Sequence, residues 1–342
     1  MVDQRTTDAV ISVRPLREAD LDAADRIMRL AFGTFLGLPD PISFMGDAGY
    51  VRPRWRADPS AAFAAEIGND LVGSNFATNW GSVGFFGPLT VRPDLWDRGI
   101  GKRLMEPVVE RFATWGTKHA GLFTFAHSQK HVRLYQKFGF WPRFLTAVMS
   151  TSVGRLRHPP RWSRYSEVPD EEQAASLGKC RELTDTVHDG LDLHREIDAV
   201  RALGLGDTIL LWDDGALVGV AICHYGTGTE AGSGSCYVKF GAVRPGRTAS
   251  EHFERLLDAC EALAVMQGAA RLVAGVNMGH TLVPGERALG AWEPSRTRNR
   301  PMTIVDLAGC NQKSSRAKQR RCWWNISRSR EAGRAWRRRA QR

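Results

Sequence analysis

The sequence predicts a mixed α/β fold built twice in tandem and followed by an irregular basic tail. Three observations lead to this. Short apolar strands alternate with amphipathic helices through the first 150 residues. The same order of elements returns after an offset of 152 residues. Hydrophobic periodicity stops near Met278, well before the end of the 342-residue chain. At roughly 100–200 residues per domain, the length agrees with two domains.

In chain order, Ile11-Ser12-Val13 reads as a short strand. A helix opens near Ala19-Asp20, where Leu21, Ala24, Ile27/Met28 and Ala31/Phe32 recur at helical spacing, and Gly33 marks its expected stop. Residues 34–57 carry several Gly and Pro and read as a long loop, and Ala61–Ile67 as a short helix. Leu71–Asn79 and Ser82–Val91 read as a hairpin around Trp80-Gly81. Arg98–Trp115 is an amphipathic helix with Leu104, Val108/Val109 and Phe112 inward and Pro107 inside it. Gly121–Phe125 is an apolar strand, Gln129–Phe138 a helix closed by Gly139, and Phe140–Met149 a last strand. Residues 1–150 are therefore expected to form the first domain. Residues 151–175, with Gly154 and Pro159-Pro160, are expected to be a linker.

The pattern resumes in a second domain over 176–285. Leu191–Leu203 is helical, Thr208–Trp212 and Leu217–His224 flank an Asp213-Asp214-Gly215 turn, Cys236–Val243 is a strand, Glu251–Met266 a helix and Arg271–Val276 a strand. The offset pairs Val91-Arg92-Pro93 with Val243-Arg244-Pro245, Leu104 with Leu256, and Gly116 with Gly268. No closing helix and strand follow, so the copy reads as incomplete. A frame slip in the coding sequence is one explanation of the abrupt change in composition.

Residues 286–342 hold 14 Arg and 2 Lys against four acidic residues, a net of +12, while the rest of the chain is at −2. The overall charge of +10 is thus a property of an expected disordered tail and not of the folded part. Trp323, Trp324 and Trp336 could stack on bases beside that charge, but no ordered nucleic-acid module is visible, and nonspecific charge attraction or an artefact of the sequence is the favoured reading. The 43% hydrophobic content excludes a wholly disordered or collagen-like chain. No apolar run reaches the roughly 18 residues of a membrane helix. The start MVDQRTTDAV lacks a signal-peptide core, so a cytoplasmic protein is expected. None of the six Cys lies in the first half and none forms C-x-x-C, which argues against a metal site or a disulfide framework and for buried reduced thiols.

The stretch Val91-Arg92-Pro93-Asp94-Leu95-Trp96-Asp97-Arg98-Gly99-Ile100-Gly101-Lys102-Arg103-Leu104 is where chemistry concentrates. A strand ends, a loop turns, and two glycines open a helix whose first N–H groups have no internal partners. With the helix dipole these amides make an anion site, suited to a pyrophosphate. A dinucleotide fingerprint fails because Leu104 stands at the third Gly, and a Walker loop fails because Arg103 follows Lys102 and Trp96 replaces its first Gly.

A second motif follows, Leu134-Tyr135-Gln136-Lys137-Phe138-Gly139-Phe140. Together the two resemble the GNAT N-acetyltransferase superfamily, which carries V-x-x-x-x-[QR]-x-x-G-x-[GA] at a helix start and L-Y-x-x-x-G-F about thirty residues later. The resemblance covers residues 10–150 closely and 176–278 only in outline. It implies an acyl-CoA N-acyltransferase fold with a degenerate second GNAT-like copy, and transfer of an acetyl group from acetyl-CoA to a primary amine by direct attack. It also implies a CoA site at Leu89, Val91, Trp96, Asp97, Arg98, Gly99, Ile100, Gly101, Lys102 and Ser128. Leu89 and Val91 would pair with the pantetheine arm through the main chain, the amides of Arg98 to Lys102 would hold the pyrophosphate, and Tyr135 would protonate the leaving thiolate. Trp96 departs from the family Gln or Arg, and Ser128 from the frequent Asn.

For the base that deprotonates the amine, His127 is the expected residue, with Glu66, Asp40 and Asp47 as weaker options. Phe76, Trp80, Phe85 and Phe86 are read as core or as walls of an acceptor pocket. In the second copy Glu251 and Phe253 replace Gly99 and Gly101, so that copy is expected to bind no CoA and to shape the acceptor side. Two rival readings are an acyl-CoA-binding regulator without catalysis and a nucleic-acid binder acting through the tail.

Overall fold

The computed structural model describes residues 10–154, 161–277, 293–294 and 322–329. The first unit runs β1 (Ile11–Pro15), α1 (Leu21–Phe35), α2 (Val51–Ala57), β2 (Ala62–Ile67), β3 (Asp70–Trp80), β4 (Val83–Phe86), β5 (Thr90–Val91), α3 (Ile100–Thr114), β6 (His119–Phe125), α4 (Gln129–Gln136) and β7 (Trp141–Ser152). The second runs β8 (Trp162–Arg164), α5 (Asp170–Val187), α6 (His194–Ala202), β9 (Gly206–Asp213), β10 (Ala216–Gly226), β11 (Gly232–Val243), α7 (Ala249–Met266) and β12 (Arg271–Asn277). Two more strands come late, β13 (Glu293–Pro294) and β14 (Cys322–Ser329). None of the described helices is long and apolar enough to cross a membrane.

Several local expectations are corrected. Ala61–Ile67 is not a helix: Ala62–Ile67 is the strand β2, its alanines buried between β1 and β3, so sheet pairing overrides the helix preference of alanine. The loop 34–57 contains α2, which accommodates Pro53 in its first turn, where no internal acceptor is lost. Gly33 does not stop α1, which runs on to Phe35. It is there for contact, because a Cβ at Gly33 would lie 2.1 Å from the carbonyl oxygen of Pro41. The linker 151–175 holds β8 and the start of α5. The buried face of α5 is Ser176, Cys180, Leu183 and Thr184, too polar and small to show as an apolar stripe. In the expected disordered tail, β13 and β14 are strands, and the rest of 286–342 lies outside the described residues, as does Trp336.

The strands form one continuous sheet in the order β1-β2-β3-β4-β6-β14-β7-β12-β11-β10-β9-β8, with β5 on β3 and β13 on β7. Two neighbours are parallel, β4 with β6 and β11 with β12, and these are equivalent positions in the two units. The closing strand missing from the second copy's sequence pattern is β14. It does not pair with its own unit's β12. It inserts between β6 and β7 of the first unit, with Trp324 opposite Thr124 on one side and Leu145 on the other. In return β7 pairs with β12, placing Val273 opposite Ser150. The two central strands are thus exchanged between the units.

The loops are exchanged in the same reciprocal way. The 36–50 segment of the first unit docks on the β10–β11 turn: Gly49 N donates to Thr229 O at 2.9 Å, Gly228 N to Asp47 O at 2.9 Å, and Asp47 accepts from Thr227 Oγ1 at 3.0 Å and Ser233 N at 3.1 Å. The α5–α6 segment of the second unit docks on the β3–β4 turn, with Ser82 N donating to Gly190 O at 2.7 Å and Asp192 N to Trp80 O at 3.1 Å.

One break matters for the site. Pairing of β4 with β6 ends at Phe85 opposite Gly121, while β5 stays on β3. Beyond Phe85 the two parallel strands diverge and leave a cleft between Gly87–Val91 and Leu122–Phe125.

Gly33→Ala should destabilise the protein by about 1–3 kcal/mol through overpacking against Pro41, although alanine is the better helix former. Urea unfolding checks this, and an unchanged or raised midpoint would overturn the packing argument.

Candidate active site

The cleft is the start of a cavity of about 290 Å³. One end is built from the α3 terminus. Asp97 and Gly99 take left-handed conformations, with φ of 67° and 81°. Among the described residues, none of the amides from Asp97 to Gly101 donates a hydrogen bond. Five successive free amides at a helix start form an anion cradle. A Cβ at Gly99 would meet nothing within 4 Å, so the cradle is open, and Arg98, Lys102 and Arg103 are exposed around it. Gly101 serves a different need, since its Cβ would already touch Leu134 of α4 at 3.4 Å.

The opposite wall is α4. Ser128 caps it, accepting from His131 N at 3.4 Å, and Gly139 ends it with φ of 81°. Tyr135 is buried and lines the cavity, its ring edge-on to Phe86 at 5.7 Å between centroids. Burial pushes its phenol well above the ordinary range, and the Thr124 hydroxyl offsets only part of that rise. The group therefore stays protonated at physiological pH. His131 also lines the cavity, with burial and then the Lys130 charge bringing its pKa down to about 4, so its imidazole is neutral.

Of the residues expected from the sequence, Leu89, Val91, Trp96, Asp97, Gly101, Ser128 and Tyr135 line the cavity. Arg98, Gly99, Ile100 and Lys102 form the turn at its mouth without lining it. Trp96 has a role of its own: its indole N–H donates to Val91 O at 2.8 Å, so that carbonyl already has one partner. Lys130 lies over the Trp96 ring at 5.5 Å and pairs with Asp97 at 2.6 Å. His127 does not reach the cavity; it is exposed and stacked on Phe35 at 5.7 Å. Glu66 pairs with Arg14, Asp40 is exposed, and Asp47 holds the second unit. Phe86 lines the cavity, whereas Phe76, Trp80 and Phe85 are core.

The inner end was not visible in the sequence. Arg54 of α2, with Glu230 and Tyr237 of the second unit, completes the lining there. Arg54 Nε donates to Glu230 Oε1 at 3.0 Å, and its Nη1 donates to Gly87 O. Lys239 Nζ lies 3.1 Å from Glu230 Oε1 and 2.6 Å from Glu196 Oε1, and Trp80 Nε1 donates to Glu196 Oε2 at 3.1 Å. Burial alone would raise the Glu230 carboxyl, but the Arg54 and Lys239 charges overcome it and hold it well below the usual range. Glu230 is thus a fixed charge and a poor proton acceptor.

Position 239 is the 152-residue counterpart of Gly87, and both sit where the ladder slips, between Ile222 and Cys223 in the second unit. A buried lysine therefore occupies the second unit's equivalent of the cleft. At its α7, Glu251 is exposed and Phe253 packs on the core, where the first unit has glycines. The described cysteines 180, 223, 236 and 260 are free and buried, and no metal-binding cluster occurs among the described residues.

The comparisons agree with this fold. The acetyltransferase (GNAT) family model matches residues 26–140. Among solved structures, a Pyrococcus horikoshii protein assigned as an acetyltransferase aligns with a TM-score of 0.59 at 12% identity, covering 94% of this chain and 90% of that one. A GCN5-related N-acetyltransferase from Sphaerobacter thermophilus aligns at 0.56 and 14%, covering 93% and 95%. A tandem GNAT protein from the clavulanic acid biosynthesis pathway aligns at 0.53 and 14%, covering 94% and 98%. No curated protein matches the chain. The fold and its cleft define an acyltransferase architecture. Residues 26–140 match the GNAT family model, and the described residues share the fold of these GNAT structures, one of them a tandem GNAT protein.

His224 is buried beside the ion cluster with no partner for either ring nitrogen among the described residues, and burial, then Lys239, brings its pKa down to about 4. Below pH 6.5 the unfolded chain protonates this histidine while the folded one does not, until about pH 4. Stability should fall as pH drops through that window. His224→Leu should reduce the fall by on the order of 1–3 kcal/mol, read from urea midpoints at pH 7 and pH 4.5.

Proposed function

We propose that the first unit transfers an acetyl group from acetyl-CoA to a primary amine by direct attack, and that the second unit binds no acyl-CoA. The observation that carries this reading is the pairing of five unengaged amides at the α3 terminus, at the mouth of the cavity, with a buried, protonated Tyr135 inside it.

The residues fit such a donor. The Asp97–Gly101 amides and the surrounding Arg98, Lys102 and Arg103 suit a pyrophosphate. The diverging edges of β5 and β6 leave room for an extended arm, and Leu89 and Thr90 offer main-chain groups along it. Bound acetyl-CoA supplies the activated acyl carbon as a thioester. Tyr135 keeps its proton and can deliver it to a developing thiolate. The imidazole in the cavity is that of His131, one turn before Tyr135; being neutral, it can accept a hydrogen bond from the incoming amine. No cysteine lies in residues 1–179, consistent with transfer without an acyl-enzyme intermediate.

The second unit's supporting role rests on three residues. Lys239 fills the cleft position, Glu251 would repel a phosphate, and Phe253 closes the backbone approach. What remains is the β10–β11 turn, which carries Glu230 and grips the 36–50 segment.

Calorimetric titration with acetyl-CoA should give one site per chain. Gly99→Glu/Gly101→Phe, which copies the second unit into the first, should abolish it. Tyr135→Phe should keep the affinity and lower turnover by tenfold or more. Two equivalents bound per chain would overturn the assignment of the second unit. A Tyr135→Phe protein with unchanged turnover would remove that residue's role.

A further inference from the structure

The inner end of the cavity holds a charged side chain that acetyl transfer does not itself require. We infer that Arg54 is a carboxylate receptor, and that the acceptor is an amino acid with an apolar side chain, its carboxylate a few bonds from the reacting amine. The inference rests on the acetyl-transfer reading for the identity of the reacting group.

Arg54 is fixed on three sides. Nε is held by Glu230 at 3.0 Å, Nη1 by the Gly87 carbonyl, and the Tyr50 ring lies 5.2 Å from the guanidinium carbon. The side chain is 18% exposed, and the residue lines the cavity. Nη2 has no hydrogen-bond partner among the described residues and is not among the buried unsatisfied atoms. A guanidinium cannot shed its proton, so a charged donor faces the cavity at every physiological pH. Two cations share two carboxylates in this cluster, so what Arg54 offers beyond its ion pair is the open Nη2 donor. The other oppositely charged lining residues, Asp97 and Lys130, pair with each other at the α3 end. A rigid, partly satisfied guanidinium in an otherwise apolar surround is preorganised for a carboxylate.

The position sets the rest of the ligand. Gly87, which Arg54 grips, follows Phe86, whose ring packs on Tyr135. An anion on Arg54 therefore lies close to the place where the amine must attack. Beside it, Met28, Phe32, Phe44 and Met45 form an apolar wall that suits an aliphatic or aromatic side chain. A plain amine would leave Arg54 unanswered, and an acidic side chain would meet that wall.

The test compares pairs that differ only in the anion. Acceptors are L-phenylalanine and L-methionine against their primary amides, followed by release of the CoA thiol. Ligands are 3-phenylpropanoate against 3-phenylpropanamide, titrated calorimetrically into the CoA-loaded protein. Wild type should favour the carboxylate by roughly tenfold or more in kcat/KM and in Kd. Arg54→Lys should reduce the preference by losing the planar fork. Removing Arg54 alone leaves Glu230 buried with Lys239 only, so the decisive variant is Arg54→Met/Glu230→Met, which leaves Lys239 paired with Glu196. In it, carboxylate and amide should become equivalent. Equal binding of the two ligands by wild type, or a preference that survives the double variant, overturns the receptor. If no amine releases CoA but the carboxylate binds through Arg54, the receptor stands and the acetyl-transfer reading falls. If neither ligand binds, the receptor is rejected whatever the turnover.

Discussion

The molecule is organised around four charges where its two halves meet, three of them buried and the fourth, Arg54, half-buried at the cavity. Arg54, Glu230, Lys239 and Glu196 form an unbroken chain of contacts, and the Trp80 indole caps its far end. Taking such groups out of water costs several kcal/mol each, and mutual attraction recovers that only in good geometry. The cluster is therefore less a source of stability than a constraint on how the halves can fit. Any other docking would strand at least one charge. Because Arg54 comes from one half and Glu230 from the other, the same constraint fixes the inner wall of the cavity.

The two units fill equivalent places of one scaffold differently. Each has a parallel strand pair, a ladder slip and a helix starting just beyond. In the first unit the slip holds Gly87 and the helix start Gly99, which leave amides and space, while Gly101 lets α4 pack close through Leu134. In the second the same places hold Lys239, Glu251 and Phe253, and the space is spent on ion pairs and core. Gly116 and Gly268, at equivalent helix ends, keep left-handed φ of 71° and 66°, because that requirement belongs to the scaffold and not to the chemistry.

The exchange of β7 and β14 explains why the halves behave as one sheet. Each parallel pair needs an antiparallel neighbour, and each receives it from the far side of the molecule. Strand edges that would otherwise be open are satisfied internally. The loops repeat the exchange, so the segment of the first unit that carries Phe44, Met45 and Tyr50 of the cavity wall is held by the second.

Much of the site was legible before any coordinates. Glycines flanking a helix start, and a tyrosine helix ending in Gly139-Phe140, are local patterns, because free amides, left-handed turns and helix ends are set by neighbours in sequence. The strand–helix order and the 152-residue repeat were legible for the same reason. Three kinds of feature were not. The Ala62–Ile67 segment became a strand because of what it packs between, and α5 buries a face that carries no apolar stripe. His131 lines the cavity and His127 does not, because a residue's place beside a strand does not say which way the chain turns its side chain. Arg54 meets Glu230 across 176 residues, and β14 finds β6 from still further away. The sequence by itself determined the two helix termini and the chemistry they can hold. Only the tertiary structure decided which charges meet behind them, because burial in three dimensions is what forces a distant carboxylate to answer a given cation.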